Sequence, residues 1–235
     1  MRERDGVDRY GRRIETPTLH IDTTGSPDAR PPIVLTHGFG DTSATWDSLV
    51  PLLAERHLVV RWDLRGHGCS SPADRYHPDD GVADLRRVVD AAGDPAVLVG
   101  HSLGGFLSLT VALRHPECVR ALVLIASGPG YRDAAARQRW NDYVDGVASG
   151  TDTAPGAAGL CHQHDSWVID HLAELRPPLL QILGERDERF RPGVDYVARV
   201  LPESRLIVVA GAGHFPHVRY ATEVAAAIER VVPPV

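Results

Sequence analysis

Two hydrophobic periods alternate along this chain. Short, continuous apolar runs occupy 33–36, 58–62, 96–99, 121–126, 179–183 and 206–209. Each has the length of a strand buried on both faces, bounded by turn-forming or charged residues. Between them apolar residues recur at helical spacing. Val82, Leu85, Val88 and Val89 mark a helix over 79–92, and Phe106, Leu107, Leu109, Val111, Ala112 and Leu113 mark another that ends at His115 and Pro116. The segments 41–56 and 218–232 also read as helical. Residues 10–22, punctuated by Pro17, alternate loosely and suit an exposed edge hairpin. Residues 23–27 and the pair Pro31 and Pro32 read as turns. Strands alternating with helices predict an α/β fold: a doubly wound, mostly parallel sheet with helices on both faces.

The alternation pauses at 127–175, where helix-like pieces at 131–147 and 167–175 flank a Gly/Ala/Thr/Pro stretch at 149–159. This predicts a short cap inserted into one core domain made of 1–126 and 176–235. A chain of 235 residues is long enough for one such domain and not for two full ones.

The chemistry gathers where the run at 96–99 meets the helix after Gly105. Gly100-x-Ser102-x-Gly104 is the pattern of a nucleophile elbow, a strand-to-helix turn so tight that residues two positions away on either side nearly touch. Glycine on both flanks then follows from sterics. The turn holds Ser102 in a sparsely populated backbone region and leaves the N–H of Leu103 free at a helix start. Two phosphate-binding readings fail. A P-loop needs a lysine and this chain has none, and the glycine spacing is not that of a dinucleotide fingerprint.

Composition narrows the class. A net charge of −6 with no basic stripe argues against nucleic acid, and no apolar run approaches the ~20 residues of a membrane span. The charged start, Met1 to Asp5, shows no secretory signal, and three widely spaced cysteines (Cys69, Cys118, Cys161) suit free thiols in a reducing cytoplasm. The absence of lysine removes Ser–Lys dyads and Schiff bases from consideration, and with abundant Ala, Gly and Pro it points to a GC-rich bacterial gene. Cys161, His162, His164 and Asp165 resemble metal ligands, but ligands so crowded rarely complete one tetrahedral site without a distant fourth. No metal and no cofactor are expected. Nothing in the sequence bears on oligomeric state.

In motif order and spacing the chain resembles the α/β-hydrolase fold family along almost its whole length. The matching pieces are His37-Gly38-Phe39-Gly40, Asp63-x-Arg65-Gly66-x-Gly68-x-Ser70, the elbow itself, Gly184-Glu185-Arg186-Asp187 and Gly211-Ala212-Gly213-His214. The resemblance implies the order nucleophile, acid, base: Ser102, Asp187, His214. Glu185, Glu188 and Asp195 are the rivals of Asp187, and His217 is the rival of His214. The resemblance also implies an oxyanion hole built from the backbone N–H groups of Phe39 and Leu103. Asp63, Arg65 and Ser70 are expected to brace a turn, and His20, His57, His77 and His115 to be structural or surface residues. Candidates for the substrate pocket are His37, Gly38, His101, Trp140, Tyr143, His164, Trp167 and Phe215. The expected activity is that of a serine hydrolase on a small to medium carboxylic ester or lactone. The alternatives are a carbon–carbon bond hydrolase with the same triad, and a non-catalytic binding protein that keeps the fold.

Overall fold

The computed structural model describes residues 16–26, 30–93 and 95–232. Seven strands form one sheet in the order β1-β3-β2-β4-β5-β6-β7. They are β1 (Ile21–Thr24), β2 (Arg30–Thr36), β3 (His57–Trp62), β4 (Ala96–His101), β5 (Val119–Ile125), β6 (Leu179–Gly184) and β7 (Arg205–Val209). β1 pairs antiparallel with β3, and every other pairing is parallel. Parallel neighbours need crossovers, and helices supply them. These are α1 (Val50–Ala54), α2 (Pro78–Ala92), α3 (Leu103–Arg114), α4 (Ala134–Ala148), α5 (Trp167–Asp170), α6 (Arg191–Val200), α7 (Pro216–Arg219) and α8 (Ala221–Glu229). Helices on both faces split the core into two apolar layers, one around Leu98, Leu107 and Leu122, the other around Val97, Val123 and Ile182. All six residues of β4 are buried, which explains their continuous apolar run.

The differences from the sequence expectations have local causes. Pro31 and Pro32 lie in β2 rather than in a turn, at the break in register with β3 between Arg30 and Ile33, where a missing N–H leaves no rung empty. The edge strand is β1, paired with β3 rather than with a hairpin neighbour; residues 16–20 are not strand, and 10–15 lie outside the described residues. The stretch 41–56 divides into a 3₁₀ turn at Ser43–Trp46 and α1, because Pro51 fits only the first turn of a helix. The last helix likewise breaks at Tyr220 into α7 and α8. α6 had no counterpart among the expected elements, although Pro192 in its first turn and the inward-facing Val194 and Val197 carry its signal.

One residue of the sheet conflicts with its surroundings. Gln181, at the middle of β6, is fully buried, and among the described residues neither its Oε1 nor its Nε2 has a hydrogen-bond partner. A buried, unpaired amide costs about 1–3 kcal/mol. Gln181→Met, of nearly the same shape, should therefore raise the urea midpoint, and an unchanged or lower midpoint would show that the amide is satisfied.

Candidate active site

Parallel strands present their C-terminal ends at one edge of the sheet, and the loops leaving β2, β4, β5, β6 and β7 meet there. Ser102 occupies the turn between β4 and α3 with φ 51° and ψ −114°, one of two non-glycine residues with positive φ among those described. Such a conformation costs about 1–3 kcal/mol and persists only where the surroundings enforce it. Here the Ser102 N–H donates to Ile125 O at 2.9 Å, and its carbonyl accepts from Gly105 N (3.0 Å), Phe106 N (3.1 Å) and Ser127 Oγ (2.8 Å). A Cβ on Gly100 would stand 2.3 Å from the Gly104 carbonyl, and one on Gly104 would stand 2.1 Å from the Thr36 carbonyl. The glycine pattern is thus a record of backbones in contact.

The Asp187 Oδ2 and the His214 Nδ1 are 2.7 Å apart. Asp187 is buried and His214 is half-buried, and both line the cavity that holds Ser102. The rivals lie elsewhere. Glu185 accepts from Gly211 N at 2.8 Å and so fastens the β6 loop to the β7 loop. Glu188 is exposed, and Asp195 pairs with Arg191. His217 is buried against Trp46, with its Nε2 3.0 Å from Thr45 Oγ1.

Neither the Phe39 N–H nor the Leu103 N–H has an acceptor among the described residues. Leu103 opens α3, where helix N–H groups lack intrahelical partners. The direction of Phe39 N–H is fixed by His37. The Leu64 N–H donates to His37 Nε2 at 3.0 Å, so the ring proton is on Nδ1, which donates to Gly38 O at 2.7 Å. In a trans peptide the carbonyl and the following N–H point oppositely, so holding Gly38 O aims the Phe39 N–H the other way.

The cavity has a volume of about 470 Å³, in the range for small-molecule sites. The β5–β6 connection covers it with Trp140, Tyr143 and Val144 of α4 and with Cys161. Of the eight expected pocket residues, the structure places Trp140 and Tyr143 on the wall and six elsewhere. His37 is the buried brace just described, and at Gly38 the backbone passes so close that a Cβ would stand 2.9 Å from His101 Nδ1. His101 lies beneath the site, its Nε2 2.9 Å from His214 O and its ring 4.6 Å from that of His214. His164 stacks on His77, Trp167 stacks on His171, and Phe215 is largely exposed. Phe190 escaped the sequence reading, yet its ring stacks on His214 at 4.7 Å and meets Trp140 edge-on. Its place three residues after Asp187 was the available signal.

The remaining polar residues serve the frame. Asp63 accepts from Ser43 N and Cys69 N, Arg65 binds Asp84 at 2.6 Å, and Ser70 Oγ donates to Asp63 O. His20 pairs with Asp22, His57 with Glu229 and His115 with Glu117, while His77 caps α2. His162 pairs with Asp145 rather than with Cys161 or His164. Among the described residues none of Cys69, Cys118 and Cys161 forms a disulfide.

The alpha/beta hydrolase fold family matches residues 31–173. The chain belongs to that family. An uncharacterised protein of Mycobacterium tuberculosis is 35% identical over 144 residues, which are 57% of this chain and 42% of that protein. The chain thus matches less than half the length of that relative. A pimeloyl-[acyl-carrier protein] methyl ester esterase of Nitrosomonas europaea is 28% identical over 246 residues, covering 86% of this chain and 95% of that one. The structure of a hydrolase from Pseudomonas aeruginosa PA01 superposes with a TM-score of 0.80 at 22% identity, over 97% of each chain.

Four buried histidines surround this α/β hydrolase's site. Burial pushes His37 and His67 down to about 4 and His217 to about 3, and holds His101 well below 6.5. The unfolded chain protonates them near 6.5 and the folded one does not. Their neutral packing is therefore fully favourable above about pH 6.5, and each loses about 1.4 kcal/mol per pH unit as pH falls toward its folded value. Urea midpoints should drop steeply between about pH 7 and pH 5, and less steeply in His217→Gln. A flat profile over that window would contradict the assignment of neutral rings.

Proposed function

We propose that the protein hydrolyses a small to medium carboxylic ester or lactone through an acyl-enzyme on Ser102. The observation that carries this reading is the strained Ser102 sharing one cavity with the Asp187–His214 pair. His214 takes the proton as Ser102 Oγ attacks the carbonyl carbon, and the Phe39 and Leu103 N–H groups receive the developing oxyanion. The intermediate collapses, His214 returns the proton to the departing alcohol, and water then attacks the acyl group by the same route. Asp187 holds the His214 tautomer and stabilises its cation. The ester activity of the Nitrosomonas relative supports the choice of bond.

We read the β5–β6 connection as the cap, and the substrate as the small-molecule partner it encloses. Among the described residues no helix is long and apolar enough to cross a membrane. Cysteines outside any disulfide suit a reducing cytoplasm as the place of action.

Ser102→Ala should lower kcat/KM for short esters by about 10³-fold or more, and Asp187→Asn should lower it severely while far-UV circular dichroism stays unchanged. Near-normal turnover in Ser102→Ala would place the nucleophile elsewhere.

A cavity of about 470 Å³ gives a long alkyl chain little surface to bury, at about 0.8 kcal/mol per CH₂. Acetate to butyrate esters should therefore outperform decanoate in kcat/KM. A continued rise out to long acyl chains would mean that the cap opens into a channel.

A further inference from the structure

The ionisable groups lining the cavity leave one charge unanswered. Asp187 is committed to His214, and burial raises the Cys161 thiol and the Tyr131 phenol, which keeps both neutral. The remaining charged side chain of the lining is Arg189. It stands two residues beyond Asp187, on the core side of the cavity, and its guanidinium carbon lies 4.0 Å from the ring centroid of Tyr143 on α4. Arg189 makes no ion pair among the described residues. The carboxylates of α4 are engaged elsewhere: Asp142 accepts from Gln138, and Asp145 pairs with His162. A second cation, Arg139, lies near enough to act with Arg189 on the Tyr131 hydroxyl. The wall is therefore positive on the side where core and β5–β6 connection meet.

A guanidinium seated over the Tyr143 ring, with no ion pair among the described residues, still has the N–H edge of its fork to offer a ligand. That edge matches a planar carboxylate in two parallel hydrogen bonds. Arg189 lines the cavity and Arg139 does not, so a bound anion meets one guanidinium directly, which matches the single charge and planar shape of a carboxylate. We propose that Arg189 is a specificity-determining residue, and that the preferred substrate carries a free carboxylate at a distance from the ester it loses. This inference rests on the serine hydrolase reading and names its substrate class.

The test compares kcat/KM within two pairs of esters, at low and high salt. Monomethyl adipate against methyl hexanoate places the carboxylate on the acyl side. 3-Carboxyphenyl acetate against phenyl acetate places it on the alcohol side. In one of the pairs the carboxylate ester should be favoured by about 10-fold, mainly through KM, and high salt should shrink the preference. Arg189→Gln should bring the ratio to about one, and Arg189→Lys, which keeps the charge and loses the fork, should restore part of it. A ratio of one or less in both pairs for the wild type, or a preference that survives in Arg189→Gln, overturns the inference. If neutral esters are still turned over by Ser102 in that case, the hydrolase reading stands. If none of the four esters is hydrolysed and an active-site phosphonate leaves Ser102 unlabelled, both fall.

Discussion

The site depends on one backbone conformation, the left-handed turn at Ser102. No side chain could hold it alone, since the cost of the positive φ must be met by contacts on every side. β5 binds the Ser102 N–H, and three donors converge on its carbonyl, one of them the Ser127 hydroxyl. Ser127 is itself placed by a second left-handed residue, Ala126 at φ 48°, whose N–H reaches Ile182 on β6. Three neighbouring strands therefore pin one hydroxyl-bearing residue. Gly105 completes the fit, since a Cβ there would come within 2.5 Å of the Ser127 Cβ.

Around that turn the protein keeps its polar groups neutral or paired. His37 works as a neutral ring with a fixed tautomer, accepting from Leu64 and donating to Gly38, and burial is what keeps the second proton away. His101 ties the His214 backbone to the elbow strand in the same neutral state. A low-dielectric floor of uncharged rings lets the Asp187–His214 pair dominate the local field, because nearby charges would compete with it. The mouth differs in character, with a free guanidinium over an aromatic ring.

The parts of this architecture visible in the sequence are those that rest on local sterics or period. Gly100 and Gly104 forecast the elbow because any Cβ would strike a carbonyl, and the buried β4 run forecast the strand leading to it. Strand ends shared by a parallel sheet were enough to bring Asp187 and His214 to Ser102. What sequence reasoning missed depends on tertiary placement. His37 and His101 look like pocket residues in a motif, yet the fold turns both rings inward. Phe190 and Arg189 follow Asp187 in what reads as a solvated loop, and only the approach of α4 makes them cavity wall. His164 and Trp167 belong to the same β5–β6 connection as Trp140 but face α2 and α3.

The most direct measurement is a crystal structure of the protein after reaction with a small alkyl phosphonate, whose tetrahedral phosphorus mimics the acyl-transfer intermediate. The account predicts a single adduct on Ser102 Oγ, with the phosphonyl oxygen about 2.7–3.1 Å from both the Phe39 and the Leu103 nitrogens. An adduct on another residue, or a phosphonyl oxygen turned away from those two N–H groups, would contradict it.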